Sequence, residues 1–261
     1  MAEYINYSNQ DGVAILEIAN PPVNAYTYEL LRELDEAICA TRMDESVHAL
    51  VLTGQGERFF SAGADIGMLS SQSNPFRYAF ALFGQEMSLR LENTPKLTIA
   101  ALNGHAIGGG LEVAMACDIR IAKKEGGRLG LAEVNLGVLP GLGGTQRLPR
   151  LIGKSKAMEL ATTGRQISFE EALELGLVHH VYEAEGFFEQ VLDYARQFVP
   201  PNKASHSVGL IKRAIHSGME MSLAEGMAFE REALLQAFQN HDAAEGLKAF
   251  QEKRVPTFTG R

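Results

Sequence analysis

The chain has 261 residues, 46% hydrophobic and 21% charged, with a formal net charge of -8 at pH 7. That is the profile of an ordinary globular protein with a substantial core; no apolar run reaches the ~18 residues a membrane span needs, and the N-terminal MAEYINYSNQ predicts no secretory signal. The acidic balance argues against a nucleic-acid binder, which would present a basic face, and two cysteines far apart, Cys39 and Cys117, predict reduced, packed thiols in a cytoplasmic protein.

In chain order, Val13–Ile18 (VAILEI) reads as a strand, and Thr27–Thr41 follows Pro21-Pro22 as a helix with Leu30, Leu31, Leu34 and Ile38 on one face. Further strands are predicted at Ala49–Thr53, Leu97–Leu102, Asp118–Ala122 and Val178–Tyr182. Helices are predicted at Gly110–Cys117, Ser155–Thr162 and Phe169–Glu174. Strands alternating with helices imply an α/β core. From Lys203 onward there is no strand pattern, and Pro200-Pro201-Asn202 marks the expected boundary between a core (1–200) and a C-terminal helical subdomain (201–261). Ser168…Glu171, Ser222…Glu225 and Asp242…Glu245 each match a capping box. Leu223, Met227, Leu234, Leu235 and Phe238 fall at roughly helical spacing, either as an ordinary core face or as a surface that packs on another subunit.

The glycine-rich stretches invite a nucleotide reading, and fail it. Gly153-Lys154-Ser155 has Leu148 where a phosphate-binding loop needs glycine. Gly54-Gln-Gly56, Gly108-Gly-Gly110 and Gly141-Leu-Gly143 lack the last glycine of a dinucleotide fingerprint, at Phe59, Val113 and Gln146. The seven histidines and two cysteines show no zinc spacing, so no metal site is expected. His179-His180 would point to opposite faces of a strand. Gly63 supplies no nucleophile elbow.

Backbone chemistry remains. Three glycines, Gly108 to Gly110, at a strand-to-helix junction let another molecule approach the main chain. A helix starting there aims free N–H groups and its positive dipole end at that visitor, as an oxyanion hole does. Ser61-Ala-Gly-Ala-Asp65 could supply a second donor. Glu112, among Leu111, Val113 and Met115, reads either as a charge favoured at a helix start or as a buried acid with a raised pKa. Glu133, alone in Leu129-Gly-Leu-Ala-Glu-Val134, reads either as a solvent-facing strand end or as a second desolvated carboxylate.

Arg58-Phe-Phe-Ser-Ala-Gly-Ala-Asp65, Asn103-Gly-His-Ala-Ile-Gly-Gly-Gly-Leu-Glu112, Ala116-Cys-Asp118 and the stretch from Glu133 to Leu148 occur in an order and spacing that resembles the crotonase (enoyl-CoA hydratase/isomerase) superfamily. The similarity runs from Asn20 to Arg254. It implies a crotonase-like spiral of ββα units with a C-terminal helical trimerisation region, assembled as a homotrimer or as a homohexamer of two trimers. It implies an acyl-CoA substrate and no resident cofactor, since coenzyme A is part of the substrate. By motif position the N–H groups of Ala64 and Gly109 would bind the thioester oxygen, and Glu112 and Glu133 would be the catalytic pair. Ala62, Asp65, Ile66 and Gly141 would line the substrate, residues 66–90 the acyl tunnel, and Arg58 and Lys253 would meet the CoA phosphates. Both glutamates with a neutral Gly-Leu-Gly-Gly favour a hydratase giving a 3-hydroxyacyl-CoA. A methylglutaconyl-CoA hydratase, an enoyl-CoA isomerase and a non-catalytic acyl-CoA or RNA-binding scaffold remain alternatives. The Lys123–Arg128 turn is longer than the common pattern and is expected to sit in a loop.

Overall fold

The computed structural model of the chain describes residues 3–260 and contains two sheets. The larger has six strands in the order β1-β2-β3-β5-β7-β10: β1 (Ile5–Gln10), β2 (Val13–Ile18), β3 (Ala49–Gly54), β5 (Leu97–Leu102), β7 (Ile119–Lys123) and β10 (His180–Tyr182). Apart from the antiparallel β1–β2 hairpin, these pairings are parallel. The smaller has the order β4-β6-β8-β9, from β4 (Phe59–Ser61), β6 (His105–Ile107), β8 (Arg128–Gly130) and β9 (Ile167–Ser168). Each turn of the spiral gives one strand to the large sheet, the next to the small one, and then a helix: β3 then β4, β5 then β6, β7 then β8.

The central strands are apolar on both faces because both faces are covered. Alternate residues go to opposite sides. Leu16, Ile18, Leu50, Leu52, Ala100 and Leu102 join one core with α1 (Tyr28–Met43), α3 (Asn74–Glu92) and α4 (Gly109–Met115). Val13, Ile15, Ala49, Val51, Ile99 and Ala101 join the other with α8 (Phe187–Arg196). Helix α1 begins where the sequence placed it: Thr27 is its N-cap and accepts from the Leu30 N–H. Cys39 on that helix is exposed, correcting the expected packing; Cys117 is buried, and both are free thiols. Strand β1 escaped the sequence reading because INYSNQ is polar, as an edge hairpin strand can be. The Lys123–Arg128 segment connects β7 to β8 as a turn, as expected.

The chain ends in helices α9 (Ser205–Gly218), α10 (Leu223–Phe238) and α11 (His241–Glu252). Lys212 ties α9 to the sheet: its buried Nζ lies 2.8 Å from Oδ2 of the half-buried Asp118 and donates to Lys96 O and Thr98 Oγ1 at β5. The Ser222…Glu225 box is present in full. At α7 (Phe169–Glu174) Ser168 caps Glu171 N–H, but the Glu171 side chain is drawn away to Arg165. Asp242 is not a cap. Asn240 starts α11, and the fully buried Asp242 accepts three hydrogen bonds from Thr259 and Gly260, strapping the tail back. Leu223, Met227, Leu234, Leu235 and Phe238 are more than half exposed in the single chain, so they are not a core face. No helix among the described residues is long and apolar enough to cross a membrane.

Candidate active site

Strands β4, β6 and β8 are neighbours in the small sheet and run parallel, so their C-terminal ends lie side by side. The residues singled out from the sequence leave from those three ends: Ala62–Asp65 after β4, Gly108–Glu112 after β6 and Glu133 after β8. Ligands of parallel sheets gather at such ends because the chain exits there in loops and helix N-termini.

The first two exits abut. A Cβ on Gly63 (φ +85°) would come within 2.7 Å of Gly109 N, so no side chain fits between them. Gly109 is the first residue of α4, where a backbone N–H has no partner within the helix. Neither its amide nor that of Ala64 donates a hydrogen bond to any described residue. Ala64 bridges to Tyr26, and the adjacent amides of Ala62 and Asp65 are taken by the carbonyls of Val23 and Tyr26. Two unpaired N–H groups on adjoining turns make a ready site for an oxygen acquiring negative charge.

The carboxylates flank this point. Glu112, one helical turn past Gly108, is 1% exposed. Its Oε1 accepts from Leu142 N (2.7 Å) and Gly144 N (2.6 Å). Burial pushes its pKa up to about 7; the Gly144 amide opposes that rise and the neighbouring Glu133 adds to it. Glu133 opens a short 3-10 turn, Glu133–Leu136, and its carboxylate lies over Gly108. Burial raises its pKa too, and its Oε2 is buried with no hydrogen-bond partner. The solvent-facing alternative for Glu133 is therefore excluded, and Glu112 is both of the things its position suggests, an acid in the first turn of α4 and a buried one. Because an orphaned buried carboxylate oxygen is costly, such an atom marks a place for a visiting donor.

The remaining expected residues are dispersed. Asp65 Oδ1 caps α2 (Ile66–Ser71) through Met68 N (2.6 Å), and Ile66 is exposed. Gly141 sits beside Ala81 of α3, and its carbonyl accepts from Gln85. Arg58 is exposed, with its guanidinium 5.5 Å from the centre of the Phe59 ring. Lys253 closes α11 in a left-handed conformation, its side chain exposed and without an ion pair among the described residues. His179 lies just outside β10 and accepts from Arg120 N through Nδ1. No cluster of metal-ligating side chains occurs among the described residues.

A family profile described as enoyl-CoA hydratase/isomerase matches residues 8–261. The chain belongs to this family. It is 41% identical to a short-chain-enoyl-CoA hydratase of Clostridium acetobutylicum, over 93% of this chain and 92% of that one. It is 37% identical to a crotonyl-CoA hydratase of Syntrophomonas wolfei, over 99% of both. An enoyl-CoA hydratase structure from Geobacillus kaustophilus superimposes with a TM-score of 0.97 at 41% identity, covering 99% of this chain and 97% of that one. The crotonase fold and the family resemblance read from the motifs are thereby shown.

The sequence reading missed what holds Glu112. The amides of Leu142 and Gly144 come from the Gly-Leu-Gly-Gly stretch, in which Gly141 alone had been assigned a place at the substrate. Two further glycines leading into Thr-Gln-Arg were the available signal, since a backbone that must present amides to a buried acid cannot carry bulk there.

Proposed function

We propose that the chain is an enoyl-CoA hydratase that adds water across the 2,3 double bond of a 2-enoyl-CoA to give a 3-hydroxyacyl-CoA. The observation that carries the reading is the meeting of two desolvated glutamates at the unpaired amides of Ala64 and Gly109. Those amides receive the thioester oxygen and stabilise the enolate that forms when a nucleophile adds at C3. With Oε1 of Glu112 held by two amides, Oε2 is left to take a proton from the attacking water. The new bond joins the water oxygen to C3, and the proton on Glu133 goes to C2. The raised proton affinity of Glu133 suits it to carry that proton. Isomerisation shuttles one proton and needs one acid; the presence of two favours hydration.

The names of the relatives support a short 2-enoyl thioester such as crotonyl-CoA. Ala62, Asp65, Ile66 and Gly141 would border the acyl group, and Arg58 and Lys253 the CoA phosphates, with coenzyme A arriving on the substrate and no resident cofactor. The exposed apolar faces of α9 to α11 support a homotrimer or homohexamer, and two free thiols support a cytoplasmic setting. The test is hydration of crotonyl-CoA followed by loss of enoyl-thioester absorbance. Wild type should turn over and Glu133→Gln should not; a fully active Glu133→Gln would overturn the assignment.

A further inference from the structure

The loop that grips Glu112 is itself gripped from behind. Arg147 on α5 (Gly144–Ile152) donates from one guanidinium nitrogen to Leu142 O at 3.0 Å. The other edge of the same guanidinium forms a two-pronged pair with Glu92 at the end of α3, Nε to Oε1 at 3.2 Å and Nη2 to Oε2 at 2.7 Å. Both side chains are largely buried, at 12% and 20% exposure, so the pair is shielded from solvent screening that would weaken a surface bridge. Gln85, also on α3, donates to Gly141 O at 2.8 Å. The Gly141 carbonyl and the Leu142 N–H belong to one peptide group, so that peptide is bonded at both ends, to Gln85 behind and to Glu112 in front. Hydrogen bonds in such a chain polarise one another.

We propose that Arg147, clamped by Glu92, is a positioning residue for Glu112: it fixes the 141–144 loop so that two backbone amides stay aimed at one carboxylate oxygen and leave the other for water. Arg147 touches neither the substrate oxygen's site nor the reacting carbons in this arrangement; it acts through the loop and through its charge. The groups that face Glu112 are Glu133 after β8, Arg147 on α5 and the buried Tyr26 phenol before α1, with Glu92 of α3 behind Arg147. Arg147 is the cation of that set. Its loss would remove a positive charge and slacken two amide bonds, both of which favour the ionised acid. This inference rests on the proposed role of Glu112 in taking a proton from water.

The experiment compares wild type, Arg147→Met, Arg147→Lys, Glu112→Gln and the Arg147→Met/Glu112→Gln double variant, with crotonyl-CoA as substrate. Expected for Arg147→Met is a fall in kcat of about 10-fold or more with KM within about 3-fold, the pattern of a lost transition-state contribution. The acidic limb of kcat/KM should move to higher pH by about half a unit or more. Arg147→Lys should restore part of the limb's position, because it keeps the charge and loses the fork. In the Glu112→Gln background Arg147→Met should cost nothing further, because the residue it acts through is gone. An unmoved pH profile in Arg147→Met, or an equal loss in both backgrounds, would overturn the proposal. Should Arg147→Met fail to fold by circular dichroism, Arg147→Lys carries the same readouts: an unmoved acidic limb together with an unchanged kcat would overturn the proposal. A fully active Glu112→Gln would instead overturn the role of Glu112 itself, which separates the two failures.

Discussion

Glu133 lies over Gly108 so closely that a Cβ there would come within 2.8 Å of Glu133 Oε1. The second acid and the helix start that presents the Gly109 amide therefore share one fixed geometry.

Gly108→Ala should test that geometry. Gly108 has φ +53° with ψ -125°, a conformation that costs any L-residue roughly 1–3 kcal/mol. The methyl must also displace Glu133 or rotate the peptide that carries the Gly109 amide. We expect kcat to fall about 100-fold or more while the protein stays folded. Steady-state kinetics with circular dichroism would check this, and a rate near wild type would show that the contact is dispensable.

Glu112 should make the enzyme less stable as pH rises. Its folded pKa, about 7, lies above its ordinary value of 4.5, so between those values the folded state holds more protons than the unfolded one. Stability is then fullest below pH 4.5 and declines until pH passes 7, by an amount on the order of 3 kcal/mol for this group. Glu112→Gln should accordingly raise the melting temperature at pH 8 and change it little at pH 5. Equal shifts at both pH values would contradict the buried-acid account.

Leu235 and Phe238 on α10 are 54% and 60% exposed, within a broad apolar face on the C-terminal helices. If this face carries the proposed homotrimer or homohexamer, replacing both with glutamate should leave the chain folded and monomeric, because unpaired charges cannot be buried in an apolar interface. Light scattering coupled to size exclusion would read this. A wild-type protein that runs as a monomer would refute the interface.

Asp242 is fully buried and accepts from Thr259 N, Thr259 Oγ1 and Gly260 N. Asp242→Ala leaves those donors without their carboxylate, which should cost roughly 2–4 kcal/mol and loosen the tail. A lower melting temperature with faster proteolysis after Arg254 is the expected result. Unchanged proteolysis would mean that other contacts hold the tail.

Apart from the half-buried edge strand β10, the strands that the sequence revealed were the buried central ones, whose two apolar faces leave short continuous runs such as ALVLT. Strands β4, β6, β8 and β9 are two or three residues long and carry no period to read. Glu112 stood out because an isolated carboxylate in LEVAMAC must be buried with it. Glu92 and Arg147 gave no such signal. They are 55 residues apart, and a charged residue in an amphipathic helix looks the same whether it faces water or another side chain. Asp242 misled for a related reason: the box pattern with Glu245 was present, but the side chain had a better partner in the tail, beyond the reach of local spacing.

The two sheets divide the molecule's tasks. Four longer, mostly buried strands, β2, β3, β5 and β7, supply the bulk of the cohesion, whereas three stubby strands deliver every reactive group. Each delivering segment belongs to a different coil of the spiral, so one can be altered while the frame beneath is left intact. Such a scaffold can trade one chemistry for another by rewriting a few exits, and mutations that soften β3 should lower heat tolerance long before they touch turnover.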